Sequence, residues 1–172
     1  MNTSEGQQYF IIPKIENNWE TGMYKNKHKK IWQEMKVPMK YWLQFLGWFV
    51  SEGSLDNENI AKDHGYRVFI SQKKDANIPI IKDILSHLPW KFNYSKRFGT
   101  FIITNKQLWY YLRNNVKTNC YDTRVPREII KSCSKDQLRL LVDSMVLGDG
   151  SINKRTGQKA YYTTSYELIS NL

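Results

Sequence analysis

The sequence has only two cysteines, Cys120 and Cys133, among its 172 residues. Two thiols form neither a disulfide framework nor a four-cysteine zinc site, so we expect both to be reduced. The three histidines share no spacing with each other or with the cysteines, which gives no support to zinc or to an HNH-type site. The chain also has no run of 18 apolar residues, so no segment is expected to cross a bilayer.

The amino-terminal residues have neither the basic flank nor the apolar core of a secretory signal, and we therefore expect an intracellular protein. A hydrophobic content of 41% and an aromatic content of 14% are typical of a folded globular chain. A chain of this length can bury a sizeable core. It is most simply one domain, or one repeat plus part of another.

Acidic residues are fewer than basic ones, 16 against 26, and the formal net charge is +10. Residues 54–127 contain 13 basic and 6 acidic residues, whereas residues 1–53 contain 7 and 5, and residues 128–172 contain 6 and 5. A basic surface attracts phosphate backbones through counterion release, whatever their sequence. The composition therefore suggests nucleic acid as a partner, although a soluble protein with lysine-rich loops has the same composition.

Two apolar stretches end in an acid followed by glycine: FLGWFVSEGS at 45–54 and VDSMVLGDGS at 142–151. Their acids, Glu52 and Asp149, are 97 positions apart. Apolar residues recur at three- and four-residue steps before each acid, which predicts two helices, each ended by glycine. If these helices pack side by side, the two carboxylates come together and can bind divalent metal ions. The alternative is a pair of solvated carboxylates at helix ends.

The hydrophobic period after the first motif predicts two hairpins and two helices, with strands at 54–60, 67–72, 90–98 and 100–104 and helices at 75–88 and 107–115. With the motif helix, this order predicts an α+β unit: a four-stranded antiparallel sheet with helices on one face. The region before the motif is predicted to hold a short strand at 9–12 and a basic polar loop at 24–30.

A second set of elements follows residue 125. It is predicted to contain a short helix at 128–131, the second motif helix from Asp136, strands at 150–154 and 160–164, and a helix from Tyr166. We therefore expect three parts: an amino-terminal segment at 1–38, a first repeat at 39–124, and a linker with a partial second repeat at 125–172. Measured against the first repeat, the second lacks its second hairpin and its last helix.

These motifs resemble the LAGLIDADG (DOD-type) family of homing endonucleases, in the branch found within inteins and in freestanding phage or intron-borne genes. Gly47 and Gly53 match the two glycines of the first motif, and Glu52 stands at the position of its catalytic acid. In the second motif Asp149 matches the acid, while Ser144 stands where a glycine is usual. Gly47 and Ser144 are predicted to be close-packing positions between the two helices.

The similarity extends from residue 37 to the end of the chain. RVPREII at 124–130 is similar to the family's linker before the second motif, and YYTTS at 161–165 is similar to the segment after it. The resemblance implies two pseudo-symmetric α+β repeats whose motif helices form the central interface and whose sheets make a saddle on double-stranded DNA. It also implies Mg²⁺ held by Glu52 and Asp149.

Further site residues are implied by the same resemblance. Gln72 and Lys73 lie at a strand end where the family often has a polar residue that supports catalysis, and Lys159 is the similar candidate in the second repeat. Lys82 and Arg113 lie on predicted helices and are expected to face solvent. Cations on or beside the predicted strands are candidates for DNA contacts, namely Lys62, Arg67, Lys73, Lys74, Lys96 and Arg97.

The preferred hypothesis is a homing-type endonuclease that hydrolyses phosphodiester bonds in a long, specific duplex site with Mg²⁺. One alternative is a DNA-binding protein of the same fold that does not cleave, either a regulator or a maturase-like protein. Another is the endonuclease part of an intein, although residue 1 is no splicing nucleophile and the chain does not end in His-Asn. Three alternatives are open for the short second repeat: completion by a second polypeptide, pairing with a second copy through the motif helices, or a degenerate gene. In each case the isolated chain should nick DNA weakly at best.

Overall fold

The computed structural model describes residues 6–21, 26–57, 65–117 and 122–171. In this part of the chain, small antiparallel sheets alternate with six helices, which agrees with the predicted α+β class. None of the described helices is both long enough and apolar enough to pass through a membrane.

The strands are β1 Tyr9–Ile12, β2 Ile15–Thr21, β3 Asn26–Trp32, β4 Met35–Pro38, β5 Gly53–Leu55, β6 Arg67–Ser71, β7 Phe92–Ser95, β8 Thr100–Thr104, β9 Gly150–Ile152 and β10 Lys159–Tyr161. The helices are α1 Met39–Glu52, α2 Ile78–Ser86, α3 Lys106–Asn115, α4 Arg127–Ser132, α5 Lys135–Asp149 and α6 Tyr166–Asn171. From α1 onward, every predicted helix and strand is present in the described residues, with shifted bounds.

Helix α1 lies at the centre of the core. Nine of its 14 residues are buried, including Trp42, Phe45 and Trp48, so the helix has little exposed surface. The backbone N–H of Gly53 donates to the Phe49 carbonyl, after which the chain becomes extended and enters β5. The predicted end of this helix at Gly53 is confirmed.

The predicted four-stranded antiparallel sheet is present, and its strand order is β5-β6-β8-β7. Alternation gives the sheet a buried face made of Val68, Ile70, Phe101 and Ile103. The opposite, more accessible face includes a cross-strand row of Ser54, Phe69, Ile102 and Asn93. Because α1 and α3 contact β6, the helices and the core lie on the buried side.

The second repeat begins like the first. Strand β9 pairs with β10 so that Gly150 is opposite Tyr161, just as Gly53 is opposite Ile70 in the first repeat. This register makes Tyr161 the counterpart of Ile70. Helix α6 follows, as predicted.

The amino-terminal segment has more structure than the sequence predicts. Asn26–Trp32 is a strand, so the predicted basic loop at 24–30 is wrong over its described part. Strand β1 pairs with β4 up to Ile12 opposite Met35, and β2 pairs with β3 from Ile15 opposite Trp32 onward. The two strand pairs are therefore successive parts of one long hairpin.

The proximal part of this hairpin belongs to the core of the first repeat. Ile12 and Val37 are fully buried, and the Phe10 ring stacks on Trp42 with ring centroids 4.8 Å apart. The distal part, formed by β2 and β3, is here called the ribbon. Two short segments connect the ribbon to the proximal part, one between β1 and β2 and one between β3 and β4. The Gln107 side chain on α3 contacts both, because its Nε2 atom donates to the carbonyls of Pro13 and Gln33, at 2.8 Å each.

Candidate functional site

Helices α1 and α5 pack against each other more extensively than any other pair of described elements. A Cβ on Gly47 would lie 2.5 Å from the Leu141 carbonyl oxygen and 2.7 Å from Ser144 Cβ. A Cβ on Gly148 would lie 2.7 Å from Ser51 Cβ. In both pairs the partners are 97 positions apart, so each contact joins equivalent positions of the two motifs. This is the geometry of a pseudo-twofold interface with one glycine and one serine at each level.

The two motif acids end these helices at the same side of the interface. Glu52 is the last residue of α1, and Asp149 is the last residue of α5. Burial raises the pKa of the Glu52 carboxyl, and the negative charge of Asp149 raises it further, whereas Lys74 and Lys117 lower it. The four side chains therefore form one electrostatic group at the helix ends.

Both lysines of this group also hold backbone carbonyls. Lys74 Nζ donates to the Gly148 carbonyl at 3.3 Å, and Lys117 Nζ donates to the Gly53 carbonyl at 2.8 Å. A helix carboxyl end carries partial negative charge, so a carboxylate there is unfavourable and an ammonium group is favourable. The lysines thus offset part of the charge that the acids concentrate there.

Two further side chains of the first repeat hold the end of α5. Ser51 Oγ donates to the Met145 carbonyl at 3.1 Å, and the Asn77 side chain donates to the Leu147 carbonyl at 3.3 Å. The last carbonyls of a helix have no partner within the helix, so such donors are needed when the end is not fully hydrated. These bonds fix the position of Asp149 relative to α1.

Tyr161 joins the site from strand β10, and sequence reasoning assigned it no role. Its hydroxyl oxygen lies 3.4 Å from Ser51 Oγ. Burial raises the pKa of the Tyr161 phenol, the Ser51 contact lowers it, and the charges of Asp149 and Glu52 raise it. Tyr161 and Asp149 share a cavity of about 370 Å³ with Lys117. The motif spacing gives no signal for Tyr161, because its place opposite Gly150 depends on the β9–β10 register.

Gln72 follows β6 and is buried, with 4% of its surface exposed. Its side-chain oxygen accepts from the Lys74 backbone N–H at 2.8 Å, which shapes the turn that carries Lys74 to Gly148. Within the described residues its Nε2 atom has no hydrogen-bond partner. The structure therefore gives Gln72 a shaping role, and its support of catalysis stays a prediction.

Two other predicted site residues have partners within the chain. Lys159 Nζ contacts Asp143 on α5, and the β9–β10 register places Lys159 opposite Ile152, at the end of β10 farther from Gly150. The Arg67 guanidinium holds the buried Asp56 carboxylate, with Nε–Oδ2 at 2.8 Å and Nη2–Oδ1 at 3.2 Å. The structure does not bring either residue into the group at the helix ends.

Three of the remaining predicted DNA contacts lie near each other. Lys73, Lys96 and Arg97 line an open cavity of about 610 Å³ between α2 and the turn that joins β7 to β8. Lys82 is exposed, as predicted, but it also lines this cavity. Lys62 lies outside the described residues.

The site offers few candidate metal ligands. Within the described ranges, no three or more His, Cys, Asp or Glu side chains converge. Glu52 and Asp149 are thus a two-carboxylate donor set. Mg²⁺ fits such a set, because it binds through one or two carboxylates and fills its other positions with water and phosphate oxygens.

No family model matches the chain. It is similar to a protein named ATP-dependent Clp protease proteolytic subunit from Chlamydomonas moewusii, with 29% identity over 140 residues, or 78% of this chain and 14% of that protein. It is also similar to the DNA-directed RNA polymerase subunit beta C-terminal section of Stigeoclonium helveticum, with 29% identity over 147 residues, or 80% of this chain and 12% of that protein. The chain therefore spans less than a sixth of the length of the curated relatives it matches.

Proposed function

We propose that the chain is a LAGLIDADG-type homing endonuclease, or a part of one, that hydrolyses phosphodiester bonds in a long, specific site of double-stranded DNA. The observation that carries the proposal is the α1–α5 interface, where Gly47 meets Ser144 and Ser51 meets Gly148. Packing equivalent positions of two motifs brings their terminal acids to one end. There the pKa of Glu52 responds to Asp149.

In this proposal Glu52 and Asp149 hold Mg²⁺, which supplies an activated water and stabilises the leaving oxygen in phosphodiester hydrolysis. Lys74 and Lys117 carry positive charge beside the acids and are suited to attract the scissile phosphate. Gln72 has a buried amide nitrogen with no partner among the described residues, which a water or a phosphate oxygen can satisfy.

The four-stranded sheet supports the same function, because its more accessible face is suited to lie along a DNA groove. The major groove of B-DNA admits a two-stranded β-ribbon, so a pair of adjacent strands of this sheet is suited to enter it. The row formed by Ser54, Phe69, Ile102 and Asn93 offers both polar and apolar groups to base edges.

The two relatives support a mobile module. Their names give a protease subunit and a polymerase subunit, and the similar stretch is 14% and 12% of each protein. The two stretches cover 78% and 80% of this chain, so they overlap over more than half of it. A segment that two differently named proteins share is not expected to supply either named activity. It is expected of a module carried within longer proteins, as in the intein alternative.

The alternative of a DNA-binding protein that does not cleave rests on the same lysines. Lys74 and Lys117 already hold the carbonyls at the helix ends, and in a protein without metal they can stabilise the two acids permanently. Such a protein keeps the sheet and its basic surface and binds DNA without Mg²⁺.

The experiment that tests the proposal measures nicking of a randomised-site duplex library with Mg²⁺ and with EDTA. Glu52→Gln and Asp149→Asn are compared with the wild type and with Asp136→Asn, an exposed acid in the first turn of α5. Removing a residue that only hydrogen-bonds to a metal ligand costs about 10–100-fold in metal affinity or activity. Removing a ligand itself should therefore cost about 100-fold or more. Asp136→Asn should cut like the wild type.

The non-cleaving alternative would be favoured if the wild type and both acid variants bind DNA equally well and none of them forms Mg²⁺-dependent products. Failure of the wild-type chain to bind any duplex would contradict both. Mg²⁺ should also raise the melting temperature of the wild type but not that of the Glu52→Gln variant, because a ligand stabilises only the state that binds it.

A further inference from the structure

The cavity between α2 and the β7–β8 turn is strongly basic. Its lining includes four cations, Lys73, Lys82, Lys96 and Arg97, and one carboxylate, Asp75. Four positive charges against one negative charge leave a formal charge of +3. The cavity has a volume of about 610 Å³ and is open to solvent.

None of these four cations forms an ion pair with a residue that the structure describes. Lys82 Nζ lies 5.6 Å from the centre of the Tyr94 ring, and the Arg97 guanidinium lies 5.3 Å from the centre of the Phe98 ring. The cations come from three separate segments: the loop after β6, helix α2 and the β7–β8 turn. Like charges gathered in one cavity repel one another, and a bound anion relieves that repulsion.

The loop after β6 lies between the cavity and the group at the helix ends. The backbone N–H of Gln72 donates to the Gly99 carbonyl at 2.7 Å, so the loop after β6 is fixed to the β7–β8 turn. A Cβ on Gly99 would lie 2.3 Å from Lys73 Cγ, which shows how closely the lysine stem packs on this turn. The next residue, Lys74, reaches Gly148 at the end of α5. One short loop therefore connects the basic cavity with the two acids.

We propose that this cavity binds one backbone phosphate of the duplex next to the cut position, and that Lys82 on α2 completes the phosphate site. The inference rests on the proposed function and adds to it a fixed register of the DNA on the protein. Phosphates recur every 3.4 Å along each strand of a duplex, so DNA seated on the acids presents further phosphates beside them. Contacts to such phosphates position a protein on DNA without reading sequence.

The rim of the cavity favours DNA over a small free anion. Phe98 in the turn is 63% exposed, next to Arg97. An exposed aromatic ring beside a cation suits an apolar sugar or base face that follows the bound phosphate, whereas a small inorganic anion has no such face.

The test compares DNA binding by the wild type, Lys82→Ala, Lys82→Arg and Lys131→Ala, an exposed lysine on α4 outside the cavity. The probe is the duplex recovered from the nicking library, with Ca²⁺ replacing Mg²⁺, and affinity is measured over a range of salt concentrations. Removing one phosphate contact should reduce the slope of log affinity against log salt by about 0.9. Lys82→Ala should show this reduction, while Lys82→Arg and Lys131→Ala keep the wild-type slope.

A second measurement assigns the phosphate. Each phosphate near the cut is replaced in turn by an uncharged methylphosphonate. One replacement should weaken wild-type binding more than it weakens Lys82→Ala binding, because the two changes remove parts of the same contact and their effects are then not additive. A wild-type slope in Lys82→Ala, or equal effects of every replacement on both proteins, would overturn the inference while DNA binding and cutting stand. A wild-type chain that binds no duplex would instead remove the proposed function itself.

Discussion

The Glu52 carboxyl is half-buried at the end of α1, beside Asp149 and two lysines. Burial is the largest cause that raises its pKa above 4.5, and Asp149 adds to it, against Lys74 and Lys117. A carboxyl with a raised pKa binds its proton more tightly in the folded than in the unfolded protein. Its stabilising contribution is therefore present below the unfolded pKa and is lost as pH rises through the folded pKa. At neutral pH the charged Glu52 opposes folding.

We predict that Glu52→Gln raises the melting temperature of the metal-free protein at pH 7, because the amide carries no charge to desolvate. The gain should shrink as pH falls through the folded pKa and vanish below about 4.5, the ordinary value for this group. Thermal unfolding followed by circular dichroism from pH 3.5 to 8 measures this, with the exposed Glu34→Gln as control. A gain that does not depend on pH would rule out this electrostatic origin.

The acids of the site could be predicted from sequence, but their neighbours could not. Glu52 and Asp149 stand in matching contexts that repeat after 97 positions. Lys117 reaches the Gly53 carbonyl from 64 positions away, after two helices and three strands have intervened. Nothing in its local sequence distinguishes it from other lysines. Its position depends on how α3 packs in the finished fold.

At the scale of elements, the α1–α5 interface depends on the small size of four residues. Gly47 and Gly148 leave room for Ser144 and Ser51, and each glycine packs against the opposite helix with no space for a side chain. The Ser144 hydroxyl donates to the Leu140 carbonyl within its own helix, so it needs no partner across the interface. At the level of Gly47 and Ser144 the two helices are therefore held close by small residues and backbone contacts.

Gly47→Ala should destabilise the protein by about 1–3 kcal/mol, because the new methyl group meets the Leu141 carbonyl oxygen and forces the helices apart. Urea unfolding measures the loss. In a Ser144→Gly background the same change should cost less, since one of the two clashing groups is gone.

Lys40→Ala on the exposed side of α1 is the matched control and should stay within about 0.5 kcal/mol of the wild type. An equally small effect of Gly47→Ala would mean that the two helices do not pack as tightly as the structure describes.

Helices and strands with a strong hydrophobic period could be predicted, whereas elements without one could not. Trp42, Phe45 and Phe49 mark the buried face of α1 directly in the sequence. Strand β3 has the sequence NKHKKIW, and its first five residues are all polar, so the sequence gives no alternation to identify. It forms a strand because it continues the hairpin that β1 and β4 begin. Context decided the structure there, not propensity.

At the scale of the whole molecule, positive charge is concentrated in residues 54–127, which hold 13 of the 26 basic residues. The fold divides part of this surplus into two groups. Lys74 and Lys117 lie at the acids, and other cations line the cavity beside α2. The sequence could predict the basic segment but not this division, because it depends on the sheet register that brings the β7–β8 turn to the loop after β6.

The ribbon has a further consequence, for how the chain can be redesigned. Ile12 and Met35 are direct partners at the end of the β1–β4 pair, so residues 13–34 leave and return at adjacent points. An Asn-Gly turn joining Ile12 to Met35 should therefore replace all of them in a protein that still unfolds cooperatively. The shortened chain leaves the buried Gln107 amide without the carbonyls of Pro13 and Gln33, at a cost of about 1–3 kcal/mol.

Gln107→Leu should recover most of that loss in the shortened chain, yet destabilise the full-length chain, as urea unfolding of the four proteins would measure. If the shortened chain unfolds without a cooperative transition whichever residue occupies position 107, the ribbon is part of the folding unit. If the expected pattern holds, the ribbon is a replaceable segment, and the Gln107 side chain is its polar link to the core. The ribbon can then be exchanged for another segment while the core and the paired acids remain as they are.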